Sequence, residues 1–290
     1  MANIQEKTHY FHAEAGVLHA RLRRPLEQEV KPQAFVKLPY QGGYLSERAE
    51  NYRLEGIISF KSAYTHVGGH KSLKDGHGWT TLATSAIDGL NVFDIVTADR
   101  VVGQISTEHP LEGHVPTVTF LGTRFENLKI AGHKIDPQLN LNVCGPKPDK
   151  DLLYLEDEGF LGRASDHHRR VSKGGVPESV HSKYQVNIPN RAELRRQWDA
   201  YLTDESPEAN KPKAAIDCSL VTDAKAGEWK SAGHIIEVPE FGRIFLAELT
   251  VDCNSFSLAM IRLELGCVGD GSGTAGTLVV NGGGKPGGGK

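Results

Sequence analysis

The segment from Arg243 to Leu265 constrains this chain more than any other. Its first arm, Arg243-Ile-Phe-Leu-Ala-Glu-Leu-Thr-Val-Asp252, puts Phe245, Ala247, Leu249 and Val251 on one face. Its second arm, Phe256-Ser-Leu-Ala-Met-Ile-Arg-Leu-Glu-Leu265, alternates Ile261, Leu263 and Leu265 with Arg262 and Glu264. A period of two marks strands with one wet face. Cys253-Asn-Ser255 between the arms reads as a tight turn. A β-hairpin of this length predicts a β-rich, water-soluble fold.

Further strand signals recur along the chain. Glu55-Gly-Ile-Ile-Ser-Phe60 reads as a strand, ended by a loop from Val67 to Gly78. Asp88-Gly89 signals a hairpin. The stretch from Asp94 to Ile105 reads as a strand pair or one bulged strand. Pro116–Leu121 and Ala214–Leu220 read as strands, and Phe125–Ile130 turns through Ala131-Gly-His133. A spacing of roughly 8–12 residues is that of a sandwich or barrel. The predicted class is therefore mainly β, an antiparallel β-sandwich or barrel with an irregular insertion.

That insertion spans 146–212 and separates a first part of the β body (1–145) from closing strands (213–268). Most of it is polar and reads as irregular. It holds one amphipathic helix, 190–202, the longest helix expected. Asn190 caps it and Glu193 completes a capping box. Leu194, Trp198 and Tyr201 or Leu202 share one face, with Arg191, Arg195 and Arg196 on the wet side. Of 32 glycines, 11 fall between Gly266 and Gly289. Residues 269–290 thus read as a Gly-rich flexible tail.

Charge and composition exclude several classes. A net charge of -3 offers no general attraction to nucleic acid. No apolar run approaches the ~18 residues of a membrane helix, so no membrane insertion is expected. Met1–Tyr10 lacks the apolar core of a signal peptide. Four widely spaced cysteines, Cys144, Cys218, Cys253 and Cys267, read as free thiols. The expected location is cytoplasmic, or extracellular if an upstream leader was removed.

The order Leu38-Pro-Tyr-Gln-Gly-Gly43, Gly89-Leu-Asn-Val92, Ile95-Val-Thr-Ala-Asp99 resembles the bacterial choice-of-anchor P proteins. So do Phe125-Glu-Asn-Leu-Lys-Ile-Ala-Gly132 and, later, Val238-Pro-Glu-Phe-Gly-Arg-Ile244 with its hairpin. The resemblance covers 34–144 and 234–265. It implies a β-rich bacterial protein and transfers no catalytic residue.

Histidine is the residue type that most suggests chemistry. His66, His70 and His77 cluster beside Asp75, and neutral imidazoles with a carboxylate suit zinc or another divalent transition metal. Their spacing matches no metalloenzyme motif. His109 and His114 bracket Glu112, an arrangement that can supply a general base. Asp166-His-His-Arg-Arg170 is a basic cluster in which His167, His168 and Arg169 can meet an anionic ligand. Gly271-Ser-Gly-Thr-Ala-Gly276 has the dinucleotide-loop spacing but no following helix. No nucleophile elbow, phosphate-binding loop or Cys-x-x-Cys is present. The expectation is a non-catalytic binding or assembly protein without a cofactor. Its partner would be another protein, a small ligand or a second copy. The alternative is an enzyme with a pocket between the β body and the insertion, metal-assisted through His66, His70 and His77.

Overall fold

A computed structural model describes residues 9–24, 27–54, 56–149, 152–188, 190–203, 214–225, 227, 229–266 and 270–281. Strand outweighs helix, 55% to 15%, and the class is mainly β. The chain opens with β1 (Ala13–Arg24), β2 (Gln28–Gln33) and β3 (Val36–Lys37). Four long strands follow: β4 (Gly43–Leu54), β5 (Ile58–Lys71), β6 (His77–Val92) and β7 (Val96–Pro110). Then come β8 (Thr117–Thr119), β9 (Arg124–Glu126), β10 (Lys129–Ile130), β11 (His133–Lys134) and β12 (Gln138–Leu139). The insertion carries α1 (Glu158–Lys173), α2 (Glu178–His181) and α3 (Arg191–Thr203). The chain returns through β13 (Ala215–Ser219), β14 (Val221–Asp223), β15 (Lys230–Ala232) and β16 (Ile235–Val238). It closes with β17 (Gly242–Asp252), β18 (Ser255–Leu265) and β19 (Asp270–Asn281).

Two antiparallel sheets pack face to face. Sheet A runs β15-β16-β17-β18-β19-β1-β2, with β13 on β17 and β3 on β1. Sheet B runs β11-β10-β7-β6-β5-β4, with β8 and β9 on β7. The central strands β1, β18 and β19 lie against β5, β6 and β7. Core residues such as Ile87, Ile105, Leu249, Leu258 and Leu278 are excluded from water. The sheets approach closely at Gly103, where a Cβ would stand 2.8 Å from Met260 and 2.9 Å from Leu278.

The closing hairpin forms as its pattern requires, with Arg243 opposite Glu264 and Leu249 opposite Leu258. The faces differ from expectation. Ala247 takes a left-handed φ of 47°. Such a flip shifts the alternation of a strand. Ile244 and Leu246 therefore enter the core with Leu249 and Val251, while Phe245 joins a second cluster under the insertion. Sheet B has a matching crease, with Asn51 at φ 52°, Gly89 at φ 65° and Asn127 at φ 48°. Asp88-Gly89 is thus a flip inside β6 rather than a hairpin, and the β6–β7 turn lies at Phe93 and Asp94.

Other corrections concern length and order. β5 continues to Lys71, so the predicted Val67–Gly78 loop shrinks to the turn after it. β7 is one strand. The longest helix is α1, not α3, because Asp157 caps a 16-residue run that reads as irregular by composition. Its side chain accepts from the Phe160 amide at 2.7 Å. In α3, Asn190 accepts from the Ala192 amide at 2.9 Å. Glu193 binds Arg196 and Gln197 instead of closing a capping box. Arg195, expected on the wet side, pairs with buried Glu156. The predicted tail begins with a core strand, since β19 pairs with both β18 and β1. Residues 282–290 and Cys267 lie outside the described residues.

Candidate functional site

Two places concentrate chemistry. The first lies between the insertion and the outer face of sheet A. α1 buries Phe160, Ala164, His167 and Val171, the i, i+4, i+7, i+11 stripe of a helix lying on a surface. His167 therefore occupies a core position. Its Nε2 lies 3.1 Å from Nδ1 of His234, in the β15–β16 turn. His234 Nε2 lies 3.1 Å from the Tyr184 hydroxyl. That hydroxyl donates to Glu248 of β17. Glu248 also accepts from Lys183 at 3.1 Å and from the guanidinium of Arg262 on β18. Arg262 stacks 3.6 Å above the Phe245 ring.

Donors and acceptors assign a direction to this chain. Tyr184 spends its proton on Glu248, so its oxygen accepts from His234 Nε2–H. His234 Nδ1 is then bare and accepts from His167 Nε2–H. Both rings are neutral, and His167 Nδ1 is a buried acceptor without a partner. Burial, followed by the proximity of His234 and Arg170, pushes the His167 pKa down to about 2. Burial also lowers His234, despite Glu248 nearby. For Glu248, burial alone would raise the pKa. His234, Arg262 and Lys183 outweigh it and hold the carboxyl well below the usual range. Burial and then the Glu248 charge raise Tyr184. His167, Tyr184, His234 and Glu248 are all buried. This cluster locks the insertion onto the sheet.

The second place is β4, the edge of sheet B, which pairs with β5 alone among the described strands. Nine of its twelve residues are exposed, and they include both faces of the strand. Tyr44 lies across Gly68, where a Cβ would stand 2.9 Å from its ring. The Tyr44 hydroxyl reaches His70 Nδ1 at 3.1 Å. Tyr64, His66 and Tyr44 form a row of near-parallel rings, with centroids 6.4 and 6.1 Å apart. Arg48 and Glu50 pair at 2.7 Å on the same face.

The residues singled out by sequence separate. His66 and His70 flank Tyr44, whereas His77 binds Glu108. Among the described residues no group of three His, Cys, Asp or Glu side chains has the arrangement to hold a metal ion. The three histidines therefore do not converge as ligands, because β5 and β6 carry them as a flat ladder. His109 is buried beside His9, ring centroids 4.6 Å apart, and His114 is half-buried in the β7–β8 loop. His168 faces His181, and exposed Arg169 pairs with Asp166. Of the basic cluster, His167 alone enters the network. Sequence reasoning missed Tyr184, His234, Glu248 and Arg262. The available signal was the apolar run on both faces of β17, which marks a strand covered on both sides. Burial raises the Cys144 thiol to about 12 and Cys218 well above its ordinary value, so neither is a ready nucleophile.

The comparisons with known proteins now bear on this geometry. A family model described as "Domain of unknown function (DUF8256)" matches residues 9–252. The chain belongs to the DUF8256 family. No curated protein matches it. No solved structure matches it either. The DUF8256 match stops at the end of β17, whereas sheet A does not. β18 and β19 fill the gap between β17 and β1. Among the described residues of this DUF8256 member, no helix is long and apolar enough to cross a membrane.

Proposed function

We propose that this protein is a non-catalytic assembly module that adds β4 of one copy to β4 of a second, extending sheet B across a two-fold axis. The observation that carries this reading is the long exposed edge strand. An unpaired edge is a template for another strand, and proteins normally keep such edges short or covered. Here the edge is 12 residues long and mostly exposed.

The sequence of β4 favours a second copy as the partner. With the axis at Ser46, Tyr44 stands opposite Arg48 of the other strand, twice. An arginine beside an exposed aromatic ring is attractive. No like charges stand directly opposite in this register. Axes at Glu47 or Arg48 would set a charge against itself, which is destabilising. An axis at Ala49 would run the ladder into the flipped backbone at Asn51.

The enzyme alternative draws less support. The insertion packs on sheet A, away from His66, His70 and His77, and the junction is filled by buried side chains. The segments that resemble choice-of-anchor P proteins lie on turns and strands, consistent with a structural role.

Disulfide trapping tests the proposal. Residues opposite each other across a strand pair have Cβ atoms about 4.5–5.5 Å apart. Ser46→Cys should therefore cross-link two copies under mild oxidation, well above the parent chain. Leu45→Cys and Glu47→Cys should cross-link poorly. Absence of a Ser46→Cys dimer, or equal trapping at all three positions, would overturn the register and the assembly.

A further inference from the structure

The outer face of sheet A holds a device independent of the β4 edge. Phe160 and Ala164 of α1, with Leu194 and Trp198 of α3, belong to the core of the sandwich. The segment between them packs differently. Val171, Val176, Val180 and Tyr184 join Ala232, Ile235 and Phe245 in a separate apolar cluster. Residues 167–184 therefore form a flap with its own small core, anchored at both ends by the large one.

The polar fastening of this flap runs from His167 through His234 and Tyr184 to Glu248. It works only while the imidazole pair stays short of full protonation. The two rings are buried, with centroids 4.8 Å apart. His234 Nδ1 accepts from His167 Nε2–H across 3.1 Å, so a proton added to that nitrogen sets donor against donor. A change of tautomer can absorb one proton. Two protons place like charges side by side, out of water. The charged groups around the pair do not relieve this. His168 and Arg170 face it from α1, Lys183 from beside Tyr184, and Arg262 from β18. The Glu248 carboxylate lies 3.9 Å from His234 Nε2, but Arg262 and Lys183 already hold it.

We propose that the flap is an acid-released latch: as the medium acidifies, His167 and His234 take up protons together, and residues 167–184 lift off sheet A while the sandwich stays folded. In the closed form both histidines lie below their ordinary value, so the open form binds more protons. The closed form is favoured above about pH 6.5 and loses its advantage as pH falls. Release uncovers Ile235 and Phe245, an apolar patch sealed at neutral pH.

Two-dimensional NMR of the full chain, titrated from about pH 7.5 to about 4, separates release from unfolding. The amide signals of Val171, Val176, Val180 and Phe245 should move or broaden along one curve and return on neutralisation. That curve should be steeper than a one-proton titration. The signals of Ala83, Ile87 and Ile105, in the sandwich core, should hold across it. His167→Gln keeps the donor to His234 and cannot titrate. Its transition should move to lower pH and be no steeper than one proton. The parent titration alone decides whether flap and sandwich separate. Flap signals lost only on the same curve as those of Ala83, Ile87 and Ile105 would overturn the proposal. A His167→Gln transition at the parent's pH and steepness would do so too.

Discussion

His167 shows how one residue can be read correctly as unusual and wrongly as exposed. It belongs to the most basic run of the sequence, yet the helical stripe Phe160-Ala164-His167-Val171 turns it into the core. Its neutral state couples folding to pH. The folded pKa, about 2, lies below the ordinary histidine value near 6.5, and His234 shifts the same way. Between those values the unfolded chain binds more protons than the folded one. Stability is therefore full above about pH 6.5 and lost as pH falls, at a slope approaching about 1.4 kcal/mol per pH unit for each histidine. Glu248, depressed below its ordinary value, adds a further loss in more acidic solution. Urea denaturation at successive pH values should show this slope. His167→Gln keeps a donor toward His234 and cannot titrate, so it should roughly halve the slope between pH 6 and 4.5. A flat profile, or a slope unchanged in the variant, would mean the histidines are solvated.

At the scale of elements, the closing hairpin anchors sheet A. Leu249 is fully buried and sits opposite Leu258 in the core between the sheets. Leu249→Ala should cost on the order of 2–5 kcal/mol by chemical denaturation. A loss under about half a kcal/mol would place β17 on the surface. Strands were legible wherever the alternation ran unbroken, as in β18 from Ile261 to Leu265. They were misread at the creases, because a left-handed residue such as Ala247 or Asn51 changes which face follows and leaves no mark in hydropathy. β19 was missed for a related reason. Gly271, Gly273 and Gly276 imitate a linker, but β18 and β1 supply the ladder on both sides, and pairing outweighs weak intrinsic propensity. α1 was hidden by its polar composition, since a helix covering a sheet needs only one apolar position per turn.

For the whole molecule, the sandwich class was readable from strand spacing. Neither candidate site was. The buried network joins residues from the insertion, the β15–β16 turn and β17–β18, segments up to 95 residues apart between His167 and Arg262. The β4 edge is a property of strand order, and no local pattern states which strand ends a sheet. The same order makes the central claim testable, because β4 is the longest edge strand among the described residues and its self-pairing gives one closed pair. Sedimentation velocity over a concentration series measures this directly. The account predicts a dimer that dissociates on dilution, and an Arg48→Glu variant that stays monomeric because Tyr44 loses its cation. A parent chain that sediments as a monomer at every concentration, or a variant that dimerises as well as the parent, would contradict it.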